Sequence, residues 1–102
     1  MHIDGSETFV AQTRKAIDTF HYADPDAAMY LDSITTIKEG EDRYYAQANA
    51  DAVVEIGRKV AFWEGTSIPL QICIYATYLA HESSHTLMLV TGNPDWNTDY
   101  GE

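Results

Sequence analysis

The stretch TSIPLQICIYATYLAHESSHTLMLVTGNP, residues 66–94, decides how the rest of the chain is read. Ser67 can cap a helix, Pro69 falls in the first turn where a missing N–H costs little, and the Gly92-Asn93-Pro94 cluster can stop it. Between these signals apolar and aromatic residues occur on nearly every face. The sequence therefore predicts a long central helix with most of its circumference buried. Cys73, inside LQICIYATY, is expected as an inert core residue. The pairs Tyr44-Tyr45 and Tyr75-Tyr78 are expected in the core and on a cleft wall.

Inside this helix stands His81-Glu82-Ser83-Ser84-His85. Residues i and i+4 lie one turn apart on the same helix face, so His81 and His85 can offer imidazole nitrogens to one metal ion. Neutral imidazole is a good Zn²⁺ ligand, and two of them leave room for a third protein ligand and a water. Glu82 lies about 100° round the helix from His81. There it can stand beside the metal, take a proton from the metal-bound water and return it to a leaving amine. The competing reading makes both histidines satisfied core residues, hydrogen-bonded to Tyr or backbone, with Glu82 exposed. A neutral core helix has no reason to bury two imidazoles and a carboxylate together, so the metal reading is preferred. Ser83 and Ser84 lie mid-helix, where no sharp turn exposes a hydroxyl, which argues against a serine nucleophile.

A third ligand has to come from elsewhere. Asp95, Asp99 and Glu102 follow the helix, whereas His2 and His21 have no local relation to the motif. Glu102 has the spacing that suits a chain leaving the helix and returning. Asp95 and Asp99 also read as parts of a solvated loop, with a turn at Asn93-Pro94-Asp95.

Upstream, SETFVAQTRKAIDTFHYA places Phe9, Val10, Ile17 and Phe20 near helical spacing, with Ser6 as N-cap and Glu7 in the first turn. Asp24 can cap a shorter helix opened by Pro25 and ending near Ser33. From Ile34 the period changes, and turns at EGED, ANAD and IGRK divide a β-branched and aromatic segment. Strands are expected near 34–38, 43–47, 52–56 and 59–63. The predicted fold class is α+β: N-terminal helices, a small, mostly antiparallel sheet of three to four strands, and the long motif-bearing helix.

At 102 residues one domain, 1–102, is the expectation. The composition, 45% hydrophobic with seven Tyr, three Phe and two Trp, is that of a folded chain. A formal net charge of -10 and six scattered basic residues disfavour a nucleic-acid or anionic membrane partner. One cysteine, no signal-like N-terminus and no apolar run of membrane-spanning length make a cytoplasmic protein the default. The composition leaves the oligomeric state open.

FVAQTRKAIDTF, AHESSH and DYGE stand where they do in small, zincin-like bacterial domains, and the chain resembles that group of metallopeptidases. Only the His-Glu-x-x-His element is a specific likeness. The resemblance implies His81 and His85 as zinc ligands, Glu82 as general base and acid, and Glu102 as the gluzincin-type third ligand or its neighbour. Met88 and Thr91 stand where metzincins carry glycine and a third histidine, so that branch is not matched. Such domains usually continue into a further helix bearing the acidic ligand, so the expectation is either a chain shortened or processed at its C-terminus or a third position filled by water or a neighbouring molecule. Zincins also hold an extended substrate against an edge strand. By that analogy KVAFWEG is the edge, with Phe62 or Trp63 beside a substrate side chain. The expected activity is zinc-dependent hydrolysis of a peptide or protein by a metal-activated water. The alternative is a non-catalytic acidic binding or inhibitor protein whose histidines are structural or bind metal without turnover.

Overall fold

Local signals act where the sequence places them. Ser6 caps the first helix, α1 (Glu7–Ala23), its Oγ accepting the Phe9 N–H at 3.3 Å. The buried residues of α1 (Phe9, Gln12, Thr13, Ala16 and Phe20) recur at helical spacing and form its inner stripe. Asp24 caps α2 (Pro25–Ala28) through the Ala27 N–H, and a 3₁₀ turn, Met29–Ser33, completes the second helical segment. The computed structural model describes residues 1–91.

Four short strands make a mixed sheet: β1 (His2–Asp4), β2 (Thr36–Glu39), β3 (Ala46–Ala48) and β4 (Val53–Ile56), in the order β1-β2-β4-β3. β1 pairs parallel with β2 and β2 parallel with β4; only β3 runs antiparallel, against β4. The expectation of a mostly antiparallel sheet is thus corrected. One of its two parallel pairings comes from β1, three residues too short for an alternation to show, and the other from β4, which lies beside β2 in place of β3. With β1 in place α1 becomes the crossover that parallel neighbours require. Between β3 and β4, Asn49 Oδ1 accepts the N–H groups of Asp51 and Val53 at 2.9 and 3.2 Å, and Ala52 takes φ 61° to turn the chain.

Residues 59–63, expected as a strand, instead enter a short helix, α3 (Arg58–Ala61). The reason lies at Gly57. Its N–H donates to Tyr45 O at 2.9 Å, and a Cβ there would run into the Arg43 carbonyl oxygen. The Arg58 N–H then donates to Glu41 O at 2.8 Å, which turns the chain out of the ladder. Val60 and Ala61 become fully buried from a helical turn, so packing overrides the β-propensity of VAF.

Ile37, Val54 and Ile56 are buried on the inner sheet face, against Phe9, Phe20, Leu31, Val60, Tyr75 and Leu79. The outer face carries the register row Lys38, Glu55 and Gln47. The last helix, α4 (Ile68–Thr91), packs against α1, α3, the 3₁₀ turn and β3. Two buried polar links hold this arrangement: Thr13 Oγ1 and the Tyr75 hydroxyl at 2.6 Å, and Gln12 Nε2 donating to Ala61 O at 3.0 Å. Burial pushes the Tyr75 hydroxyl far above its ordinary pKa, against the opposing pull of the Thr13 hydrogen bond, so it stays a neutral tie between α1 and α4. Among the described residues no helix is long and apolar enough to cross a membrane.

Glu39 joins three elements. It accepts the Ser6 N–H at 2.8 Å at the head of α1 and pairs with Arg58 of α3. Partial burial pushes its carboxyl pKa up, but Ser6 and Arg58 together outweigh that and hold it below the usual glutamate value. A folded-state pKa below the unfolded one gives stability that is present above the unfolded value and lost as pH falls through the folded one. Between about pH 6 and pH 3 the unfolding free energy from urea denaturation should therefore fall. In Glu39→Gln that fall should be shallower, by on the order of 1 kcal/mol. Identical pH profiles for the two proteins would show that the link contributes nothing.

Candidate metal centre

The helix that carries the cluster begins where the sequence signals it. Gly65, at φ 80°, turns the chain, Ser67 Oγ accepts the Leu70 N–H at 3.4 Å, and Ser67 O accepts the Gln71 N–H at 2.9 Å. From there α4 turns Tyr75, Leu79, Glu82 and Thr86 inward at spacings of four, three and four, all of them at most 2% exposed. Opposite that stripe Leu70, Cys73 and Thr77 are exposed, so the core position expected for Cys73 is corrected. From Tyr78 to Met88 every residue is buried or half-buried, so the open face is confined to the first half of the helix.

His81, Glu82 and His85 converge on α4, with one potential ligand atom from each lying within 4.8 Å of the others. The two imidazole rings are 4.3 Å apart and tilted by 58°. Glu82 lies between them: Oε2 is 3.8 Å from His81 Nε2 and Oε1 is 3.9 Å from His85 Nδ1. Exposure divides the three. His81 keeps 38% of its side chain in solvent, while His85 and Glu82 are almost wholly buried. An exposed Glu82, part of the competing reading, does not occur.

Two hydroxyls of this stretch, those of Ser83 and Thr86, turn to backbone. Ser83 Oγ donates to Ala80 O and Thr86 Oγ1 to Glu82 O, each at 2.9 Å, and Ser83 is fully buried. Ser83 is thus not placed to act as a nucleophile, in line with the sequence.

Phe62 and Trp63 follow α3 and belong to no strand. The edge strand beside α4 is β3, so the placement of the edge at KVAFWEG is corrected. Both side chains are partly buried against the core. Arg58 covers Phe62, its guanidinium 5.2 Å from the ring centroid, while Trp63 turns to Tyr78, one turn before His81. Tyr78, Thr77 and His81 together line an open depression of about 390 Å³. Its Tyr78 wall was legible as a residue three before His81; the approach of Tyr44 to Trp63 has no local signal. Asp95, Asp99 and Glu102 lie outside the described residues.

Compared with known proteins, the chain matches no protein family, no curated protein and no solved structure.

Proposed function

We propose that this protein is a zinc-dependent metallopeptidase, with His81 and His85 as metal ligands and Glu82 as the general base. The observation that carries this reading is a buried carboxylate set between two imidazoles on one helix. Two imidazole nitrogens and the carboxylate oxygen of a third ligand are a donor set that zinc accepts. Ligands about 2 Å from one ion stand roughly 3.3 Å apart in tetrahedral array, and the His81 and His85 nitrogens lie within 4.8 Å of each other, so side-chain rotations closing that gap by up to about 1.5 Å suffice. Asp95, Asp99 or Glu102 would supply the third ligand.

A bound zinc ion contributes Lewis acidity and a water that ionises near neutral pH. The rest is done by the chain. Glu82, held by a helix whose inner face is locked by Tyr75 and Leu79, takes one proton as the water oxygen bonds to the peptide carbonyl carbon. It returns that proton to the amide nitrogen as the C–N bond breaks. The substrate backbone would pair with the open side of β3. Ala46 and Ala48 are small there and leave α4 close to the strand. With its lone Cys73 exposed as a thiol, the protein suits a reducing compartment such as the cytoplasm.

The charge of -10 favours a second reading, an acidic binding or inhibitor protein in which the cluster binds metal without turnover. Metal analysis after equilibration with zinc and exhaustive dialysis tests the first step of the peptidase reading. Near one zinc per chain is expected; protein that retains none would remove its basis.

A further inference from the structure

Three aromatic residues from separate segments form a row that ends at Tyr78, one helical turn before His81. Tyr44 precedes β3, Trp63 follows α3 and Tyr78 lies on α4. The Trp63 ring centroid is 4.8 Å from that of Tyr44 and 6.2 Å from that of Tyr78, with interplanar angles of 58° and 34°. These are tilted ring contacts of the kind aromatic clusters favour. The outer end of the row is closed by the chain's own cation, since Lys59 Nζ stands 5.3 Å from the centroid of the half-exposed Tyr44. The inner end opens at Tyr78 into the depression shared with Thr77 and His81.

Charge decides what this wall can take. Between Ile68 and Thr91, α4 contains no Lys, Arg or Asp, and its one carboxylate, Glu82, is buried. Away from Lys59 at the Tyr44 end of the row, a charged substrate side chain laid against Tyr78 would lose water and meet no Lys, Arg or Asp on the helix. A planar apolar one would shed water favourably and meet ring faces and edges already in place. Tyr44 lies two residues before β3, so a peptide paired with that strand would pass the Tyr44 end of the row.

We propose that Tyr78 and Trp63, backed by Tyr44, form a side-chain subsite that selects peptides with an aromatic residue beside the bond cleaved at His81, Glu82 and His85. This rests on the peptidase reading and adds a substrate class to it.

Binding can be measured apart from turnover. The chain has two tryptophans, so Trp96→Phe leaves Trp63 as the single indole reporter. In a zinc-loaded Glu82→Gln/Trp96→Phe protein, four matched pentapeptides differing only in a central Phe, Ala, Lys or Glu are titrated against Trp63 emission. The Phe peptide should bind about tenfold more tightly than the other three, as expected for one well-packed aromatic contact. Tyr78→Ala should abolish that preference and Tyr78→Phe should keep it, with circular dichroism showing that both variants fold. Equal binding by all four peptides, or by none, would overturn the subsite, as would a preference untouched by Tyr78→Ala. The unmodified protein separates the two claims. If the Phe preference holds but no peptide is cleaved, the peptidase reading fails and the subsite stands. If all four are cleaved equally well, the subsite fails and the peptidase reading stands.

Discussion

Glu82→Gln is expected to lower peptide hydrolysis by a factor of roughly 10² to 10⁴, the range for loss of a positioned general base, while zinc remains bound. Glutamine keeps the volume and the planar head of glutamate, and the position is only 2% exposed, so the exchange leaves the packing of α4 intact. What changes is basicity. The amide cannot accept a proton from water and carry it to the leaving nitrogen. Two measurements belong together here: cleavage of a quenched fluorescent peptide library, and zinc content of the same preparation. Full activity in the variant would end the role given to Glu82. Loss of zinc together with activity would make Glu82 a ligand, an assignment its distances of 3.8 and 3.9 Å from the two imidazoles would then explain.

The two histidines should separate in stability and agree in metal binding. His81→Ala and His85→Ala each remove one of two imidazole donors and should weaken zinc by more than about a hundredfold, since even loss of a ligand's supporting partner costs 10- to 100-fold. In zinc-free protein the two variants should part. His85 is 2% exposed, packed on the inner side of α4, and its truncation leaves a cavity costing about 2–3 kcal/mol. His81, with 38% of its side chain in solvent, should change stability by no more than about 0.5 kcal/mol. Urea denaturation of both apo proteins checks this, and equal midpoints would contradict the burial of His85. Retention of full zinc affinity in either variant would place the metal elsewhere.

Much of the fold was legible because its signals are short. Ser6, Asp24 with Pro25, and Ser67 with Pro69 each open the helical segment that their chemistry suggests. The HESSH spacing places His81 and His85 together for the same reason, since a helix relates residues four apart without help from the rest of the chain. The sheet was legible only in part. β2, β3 and β4 fall within or overlap the expected segments, yet their pairings do not follow: β4 and not β3 lies beside β2, and β1 at residues 2–4 carries no readable pattern while its partner lies more than thirty residues away. VAF looked like strand because Val and Phe favour one; the Gly57 turn and the burial of Val60 and Ala61 made it helix.

By itself, then, the sequence determined the helices opened at Ser6, Asp24 and Ser67, the pairing of two imidazoles on the last of these and the acidic charge, all of which depend on neighbours within about one helical turn or on composition alone. Tertiary structure decided the parallel pairings, which side of α4 is wet in its first half, the burial of Glu82 beside the half-buried His81, and the meeting of Tyr44, Trp63 and Tyr78. Those depend on which distant segments close against each other. A residue's spacing fixes its face on a helix, and the packing of remote elements determines whether that face is core, solvent or site.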